Sequence, residues 1–190
     1  VTSNICKERL INRDKITAPI DVVYEGIDTE LFKPRTNVRM FSKDKKVVFF
    51  HWLHGSDFEI IRSIPRVVKE YPDVQFVTKI QYEATKEHLP NARRLLKELD
   101  VEKYLNFYQM TLPYETVPYL YNSSNIVLSF SGNYVGEYPL LEAGASGIPS
   151  VVMNARGIAE MFQEEVNALS VPVATTKKEL VNKGGFLVEE

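Results

Sequence analysis

A single cysteine, Cys6, stands in 190 residues, so no internal disulfide can form, which fits a reducing compartment. An excess of positive charge is also missing. The 23 Lys and Arg residues are set against 25 Asp and Glu for a net charge of −2, which argues against nucleic acid as a partner. No apolar run approaches the length of a membrane span, and no secretory leader pattern opens the chain. Internal repeats and low-complexity stretches are absent too. What remains is 44% apolar and 25% charged, ordinary proportions for one domain with its own core. A cytoplasmic α/β domain is the expectation.

The apolar residues are laid out in an alternating order. Lys46 to Trp52 is a β-branched and aromatic run, suited to a strand covered on both faces. From Asp57 to Tyr71, Ile60, Ile61, Ile64, Val67, Val68 and Tyr71 recur at helical spacing, with a kink or break expected at Pro65. Further strands are predicted over 73–78, 104–108, 126–130, 149–153 and 168–171. Helices are predicted over 91–99, 116–122 and 157–162, with Thr116 as a cap. Strands alternating with helices at these lengths call for a parallel sheet with helices on both faces. Ligands of such sheets bind at the carboxyl ends of the strands, so the loops after Trp52, Thr78, Tyr108 and Phe130 matter most.

The richest stretch is Gly136-Glu137-Tyr138-Pro139-Leu140-Leu141-Glu142, running on to Gly147-Ile148-Pro149. It reads as a turn, a short helix carrying an acid, and a glycine-proline exit into a strand. The start of such a helix aims free N–H groups outward with roughly half a positive charge, a ready anion site. Glu142 lies about one turn further on, within reach of a hydroxyl of the same ligand. Phosphate at the tip and a sugar hydroxyl at the acid together suggest a nucleotide. As a ligand-facing acid, Glu142 is expected to contribute little to folding.

This stretch resembles the signature of the retaining glycosyltransferases of GT-B architecture, Glu-Gly-Phe-Gly-Leu-Pro-Leu-Leu-Glu followed by a small-residue exit. Other pieces are similar in the right order. Residues 22–34, including Glu25-Gly26-Ile27-Asp28-Thr29-Glu30-Leu31-Phe32, resemble the family's interdomain hinge, Thr111 to Asn125 the segment before the signature, and Arg156 to Phe162 the segment after it. The resemblance implies a Rossmann-like parallel sheet, the C-terminal half of a GT-B enzyme. Residues 1–34 would end the preceding domain and form the hinge. Residues 35–190 would form the donor-binding domain, cut short at its C-terminus.

Carried over residue by residue, Glu142 would hold the ribose, and the backbone of Gly136, Glu137 and Tyr138 the diphosphate. Gln109 and Met110 would flank the base. Two departures stand out. Tyr134 occupies the place of the signature's first Glu, which touches the transferred sugar, leaving Glu137 as the tentative catalytic acid. The loop after the first strand, His51-Trp52-Leu53-His54-Gly55, lacks the family's Arg and Lys. Lys79 is the substitute cation, while His51 or His54 could donate if protonated, with His54 and Gly55 near the donor. The two histidines have no third ligand nearby, so no metal site is expected. Tyr114, Tyr119 and Tyr121 read as core residues.

The resemblance therefore implies a glycosyltransferase donor domain of hexosyltransferase type, with a nucleoside-diphosphate sugar as substrate and no cofactor. The acceptor, a glycan, lipid or protein, would be held by the N-terminal domain. The full-length protein could sit at the cytoplasmic face of a membrane as a peripheral protein, and this fragment alone would be inactive. The alternative is a catalytically degenerate domain acting as a nucleotide-binding regulatory or scaffolding subunit. A GT-B epimerase or phosphorylase is a further alternative, although a phosphorylase would need a strongly cationic site that the sequence does not offer.

Overall fold

Phe49 and Phe50 are neighbours in the first strand (β1, Lys46–Trp52), and each disappears into a different hydrophobic cluster. That split follows from the two-residue period of a strand and means that β1 is covered on both sides. In the computed structural model, the described residues are 1–42, 44–52, 58–80, 82–109, 112–130, 138–154, 158–162 and 168–172.

Six parallel strands form one sheet: β1, β2 (Val74–Ile80), β3 (Leu105–Gln109), β4 (Ile126–Ser129), β5 (Ser150–Asn154) and β6 (Leu169–Pro172). Their order is β3-β2-β1-β4-β5-β6, so the chain reverses its direction of travel between β1 and β4. On one face, α2 (Phe58–Glu70) and α3 (Tyr82–Glu98) bury Ile60, Ile61, Ile64, Ala92 and Leu96 against Phe50 and Phe76. On the other, α4 (Val117–Asn122) and α5 (Tyr138–Ala145) bury Leu120, Tyr121, Leu140 and Ala143 against Phe49 and Val127. This is the expected α/β arrangement. No helix among the described residues is long and apolar enough to cross a membrane.

Several local expectations are corrected. The helix does not end at Pro65 but runs on to Glu70. Proline there removes one backbone hydrogen bond, and the fully buried Ile60, Ile61 and Ile64 hold the helix on the sheet regardless. α3 begins at Tyr82, well before the expected Asn91, and contains Pro90. Thr116 does not cap α4, since its hydroxyl donates to the Pro113 carbonyl instead. Gly147 does end α5, at φ 77°. Its N–H donates to the Gly144 carbonyl and that of Ile148 to Ala143, the paired bonds of a Schellman turn.

The N-terminal segment carries a helix that the periodicity did not announce, α1 (Asn4–Asn12), capped by the Ser3 hydroxyl on the Cys6 N–H. Further on, Asp28 Oδ1 accepts the N–H groups of Glu30 and Leu31, a local turn that delivers Phe32 into the core with no exposure at all. Asn122, the last residue of α4, fastens the segment leading out of this turn. Its Oδ1 accepts the Arg35 N–H at 2.6 Å, and its Nδ2 donates to the Lys33 and Pro118 carbonyls. Residues 28–35 thus pack onto the same core as β1 and α4.

Candidate functional site

The reversal between β1 and β4 opens a crevice at the carboxyl ends of these strands, the usual ligand position in an open parallel sheet. Three described side chains converge there. His51 comes from the end of β1, Lys79 stands beside it in register on β2, and Glu142 lies on α5, the helix that follows β4.

Glu142 is only 6% exposed. A carboxylate so removed from water needs donors, and the nearest is fully buried: Tyr121 Oη donates to Glu142 Oε2 at 2.6 Å. Behind it, His51 Nε2 lies 3.0 Å from the same Tyr121 oxygen. The His51 ring is gripped edge-on by Phe49 at 4.9 Å and tilts against Tyr121 at 6.1 Å. Burial raises the Glu142 carboxyl above its ordinary value, opposed by the Tyr121 and Tyr114 hydroxyls and by the Lys79 charge. Burial and the same Lys79 charge push the His51 imidazole down to about 3.

These facts revise two expectations. His51 is a neutral ring in the packing, not a substitute cation, because loss of water and a neighbouring ammonium both oppose its protonation. Glu142 is buried and is the partner of a core tyrosine, so replacing it will not leave folding untouched. Tyr121 was legible as core. Its role as hydrogen-bond partner was signalled only by the rule that a buried tyrosine hydroxyl needs a mate.

The remaining site residues sort by place. Tyr138 begins α5 with its ring 47% exposed. Tyr114 is half exposed beside it, edge-on to Phe32, and burial followed by the Glu142 charge raises its phenol. Tyr119, on the outer side of α4, carries the Arg35 guanidinium over its ring. Gln109 ends β3 next to Ile80, at the same edge of the sheet as Lys79. His54, Gly55, Met110, Tyr134, Gly136 and Glu137 lie outside the described residues. Among the described residues, no three His, Cys, Asp or Glu side chains gather as metal ligands would.

A six-stranded parallel sheet in this order, with an acid on the helix after β4, defines a Rossmann-like α/β domain whose topological switch point is the β1/β4 reversal. The chain belongs to the group 1 glycosyl transferases, whose family model matches residues 50–189. Solved structures share the fold at low identity. The C-terminal domain of the group 1 protein LpcC from Francisella tularensis superposes with a TM-score of 0.66 at 20% identity, over 83% of this chain and 85% of that one. Sucrose-phosphate synthase from Thermosynechococcus elongatus gives 0.75 at 19% identity, over 96% of this chain and 47% of the enzyme. The Anabaena protein HepE, in complex with UDP-glucose, gives 0.67 at 19% identity, over 85% and 46%. This chain therefore spans about half the length of the two larger proteins. No curated protein sequence matches it.

Proposed function

We propose that this domain holds a nucleoside-diphosphate sugar at the β1/β4 crevice. It would serve as the donor half of a retaining glycosyltransferase that passes a hexosyl unit to a glycan, lipid or protein acceptor held elsewhere in the enzyme. The observation that carries the reading is Glu142: a carboxylate at the carboxyl edge of the sheet, one turn into α5, anchored through one oxygen by Tyr121. Held this way, it accepts hydrogen bonds from ribose hydroxyls without first paying the entropy of ordering its own side chain. The amides of Gly136, Glu137 and Tyr138 would face the diphosphate at the start of α5, where the helix dipole favours negative charge. Lys79 supplies a full charge on the same side of the sheet, and Gln109 and Met110 flank the base. The family membership and the fold shared with HepE, which binds UDP-glucose, support the same assignment.

Calorimetric titration of the chain with UDP, ADP, GDP and CDP tests it. One of them is expected to bind, and Glu142→Ala should weaken that binding by roughly tenfold to a hundredfold, the loss of one or two charge-assisted hydrogen bonds. A wild-type chain that binds none of the four, or a Glu142→Ala variant of full affinity, overturns the reading.

A further inference from the structure

Tyr121 has one hydroxyl proton and gives it to Glu142 Oε2, at a distance typical of an O–H group bonded to an ionised carboxylate. The contact between His51 Nε2 and that hydroxyl must therefore run the other way, with the imidazole N–H donating to a phenol lone pair. This assigns the tautomer: the proton sits on Nε2, and the ring needs no charge to make the bond. Three side chains from three elements, β1, α4 and α5, line up as imidazole N–H to phenol O–H to carboxylate. Each donor in such a series polarises the next, so the last bond is stronger for having the first behind it.

We propose that Tyr121 is a positioning residue for Glu142, and that His51 completes a buried donor chain holding the carboxylate ionised and in one orientation for the donor's ribose. The proposal rests on the reading of Glu142 as the ribose acceptor. Tyr121 is fully buried, so it acts on a ligand only through Glu142, and the half-buried His51 is bonded to its hydroxyl. Oε2 is committed to Tyr121, so ribose hydroxyls would be taken up by the lone pairs the carboxylate has left. An uncharged chain does this better than a cation would. A lysine or arginine in Tyr121's place would neutralise the carboxylate and weaken its pull on the hydroxyls, whereas a phenol leaves the negative charge intact.

The chain also bears on protonation. The groups acting on Glu142 are Tyr121 from α4, Tyr114 from the turn before it, and Lys79 from β2. His51 from β1 acts through Tyr121, and Asp28 and Tyr138 act on Tyr114. Burial favours the protonated acid, and the tyrosine hydroxyls and Lys79 oppose it. A protonated carboxyl loses acceptor capacity, so ribose recognition should fail at low pH, and should fail sooner once a donor is removed.

The test compares whichever of UDP, ADP, GDP or CDP binds tightest with its dideoxy analogue, which lacks both ribose hydroxyls. The ratio of the two affinities isolates the ribose contribution and is read from neutral to mildly acidic pH. For the wild type it should be roughly tenfold or more. In Tyr121→Phe it should fall several-fold at neutral pH and drop towards one at a higher pH than in the wild type, with dideoxy binding unchanged. His51→Leu should shift the ratio the same way. His51→Gln, which sets an amide N–H near the position of Nε2, should restore it. Should Tyr121→Phe fail to bind even the dideoxy ligand, the two His51 variants decide. A ratio that collapses in Glu142→Ala but keeps its size and pH profile in Tyr121→Phe and His51→Leu overturns the donor chain and leaves the ribose assignment standing. A ratio unmoved by Glu142→Ala overturns both.

Discussion

Glu160 caps α1 from across the whole chain: its Oε2 accepts the Asn4 N–H at 2.8 Å and its Oε1 the Ile5 N–H at 2.9 Å. The same carboxylate also takes the Asn4 side-chain amide and the Tyr24 hydroxyl. Two of the unsatisfied donors at a helix N-terminus thus meet the full negative charge that the helix dipole favours there. Glu160 lies on α6 (Ile158–Met161), just after β5, so one side chain ties the N-terminal segment to the carboxyl edge of the sheet.

Glu160→Gln should loosen that tie without unfolding the core. Burial pushes the carboxyl up, but the Ile5 and Asn4 backbone N–H groups, with the Tyr24 and Asn4 side chains, outweigh it and hold it below the ordinary value. For a depressed acid, the stabilisation is present above the unfolded-state pKa and lost as pH falls through the folded one. Protection of the Asn4 and Ile5 amides, measured against their intrinsic exchange rate at each pH, should therefore fall on acidification in the wild type and be low at every pH in the variant. Core amides such as those of Phe49 and Val77 should be unaffected. Equal protection of α1 in both proteins would mean that Ser3 and local packing suffice to hold it.

That latch explains why α1 escaped the sequence. Its nine residues show no apolar stripe and none of them is buried, so the local signal is one serine cap, and the other cap lies 156 positions away. Where long-range partners are not needed, the residues speak plainly. β1 was legible to its ends because five of its seven residues, Val47, Val48, Phe49, Phe50 and Trp52, are β-branched or aromatic. Pro65 invited the expectation of a kink or break because it removes a backbone bond, and the buried apolar face of the helix, invisible as an energy in the sequence, carries the helix on to Glu70. The site divides in the same way. Glu142 could be placed by motif, but Tyr119 and Tyr121 are two positions apart on a six-residue helix, and only the packed structure tells which is core and which faces out.

His51 makes a stability prediction with a definite sign. Its folded-state pKa of about 3 lies below the ordinary 6.5, so the folded protein binds fewer protons in that window than the unfolded chain. The contribution is whole above about pH 6.5 and is lost as pH falls towards 3, by roughly 2–4 kcal/mol after allowance for screening at a part-buried ring. Glu142 has the opposite sign: its raised carboxyl contributes fully below the ordinary glutamate value and loses that contribution as pH rises through the folded one. Chemical denaturation across this range should show His51→Gln losing less stability on acidification than the wild type. Parallel pH curves would place the ring in contact with water, free to protonate.

Lys79 separates charge from packing at the same crevice. It is half-buried on β2, and its ammonium acts on both His51 and Glu142. If it neutralises the donor's diphosphate, Lys79→Ala should weaken nucleoside diphosphate binding by about tenfold and flatten its salt dependence. Binding of the bare nucleoside should be unchanged. Equal losses for both ligands would mean that Lys79 shapes the crevice without touching phosphate.

The proposed sugar transfer makes separate demands on the two residues Tyr134 and Glu137. A departing diphosphate gains negative charge in the transition state, and only interactions that strengthen there raise the turnover rate. Tyr134 stands where the resemblance places the acid that touches the transferred sugar, which leaves Glu137, three residues on, as the carboxylate available for that contact. On the proposed reading, Glu137→Gln should therefore abolish sugar transfer while leaving donor affinity intact, since the backbone amide assigned to the diphosphate is kept and only the carboxylate is lost. Tyr134→Glu should add little to an enzyme already served by Glu137 and should lower activity if the two carboxylates crowd each other. The opposite pattern, a wild type that binds donor without transferring it and a Tyr134→Glu variant that gains donor hydrolysis, would identify a degenerate domain disabled at that one position. Donor binding and transfer assays on the three proteins, run side by side, distinguish the two.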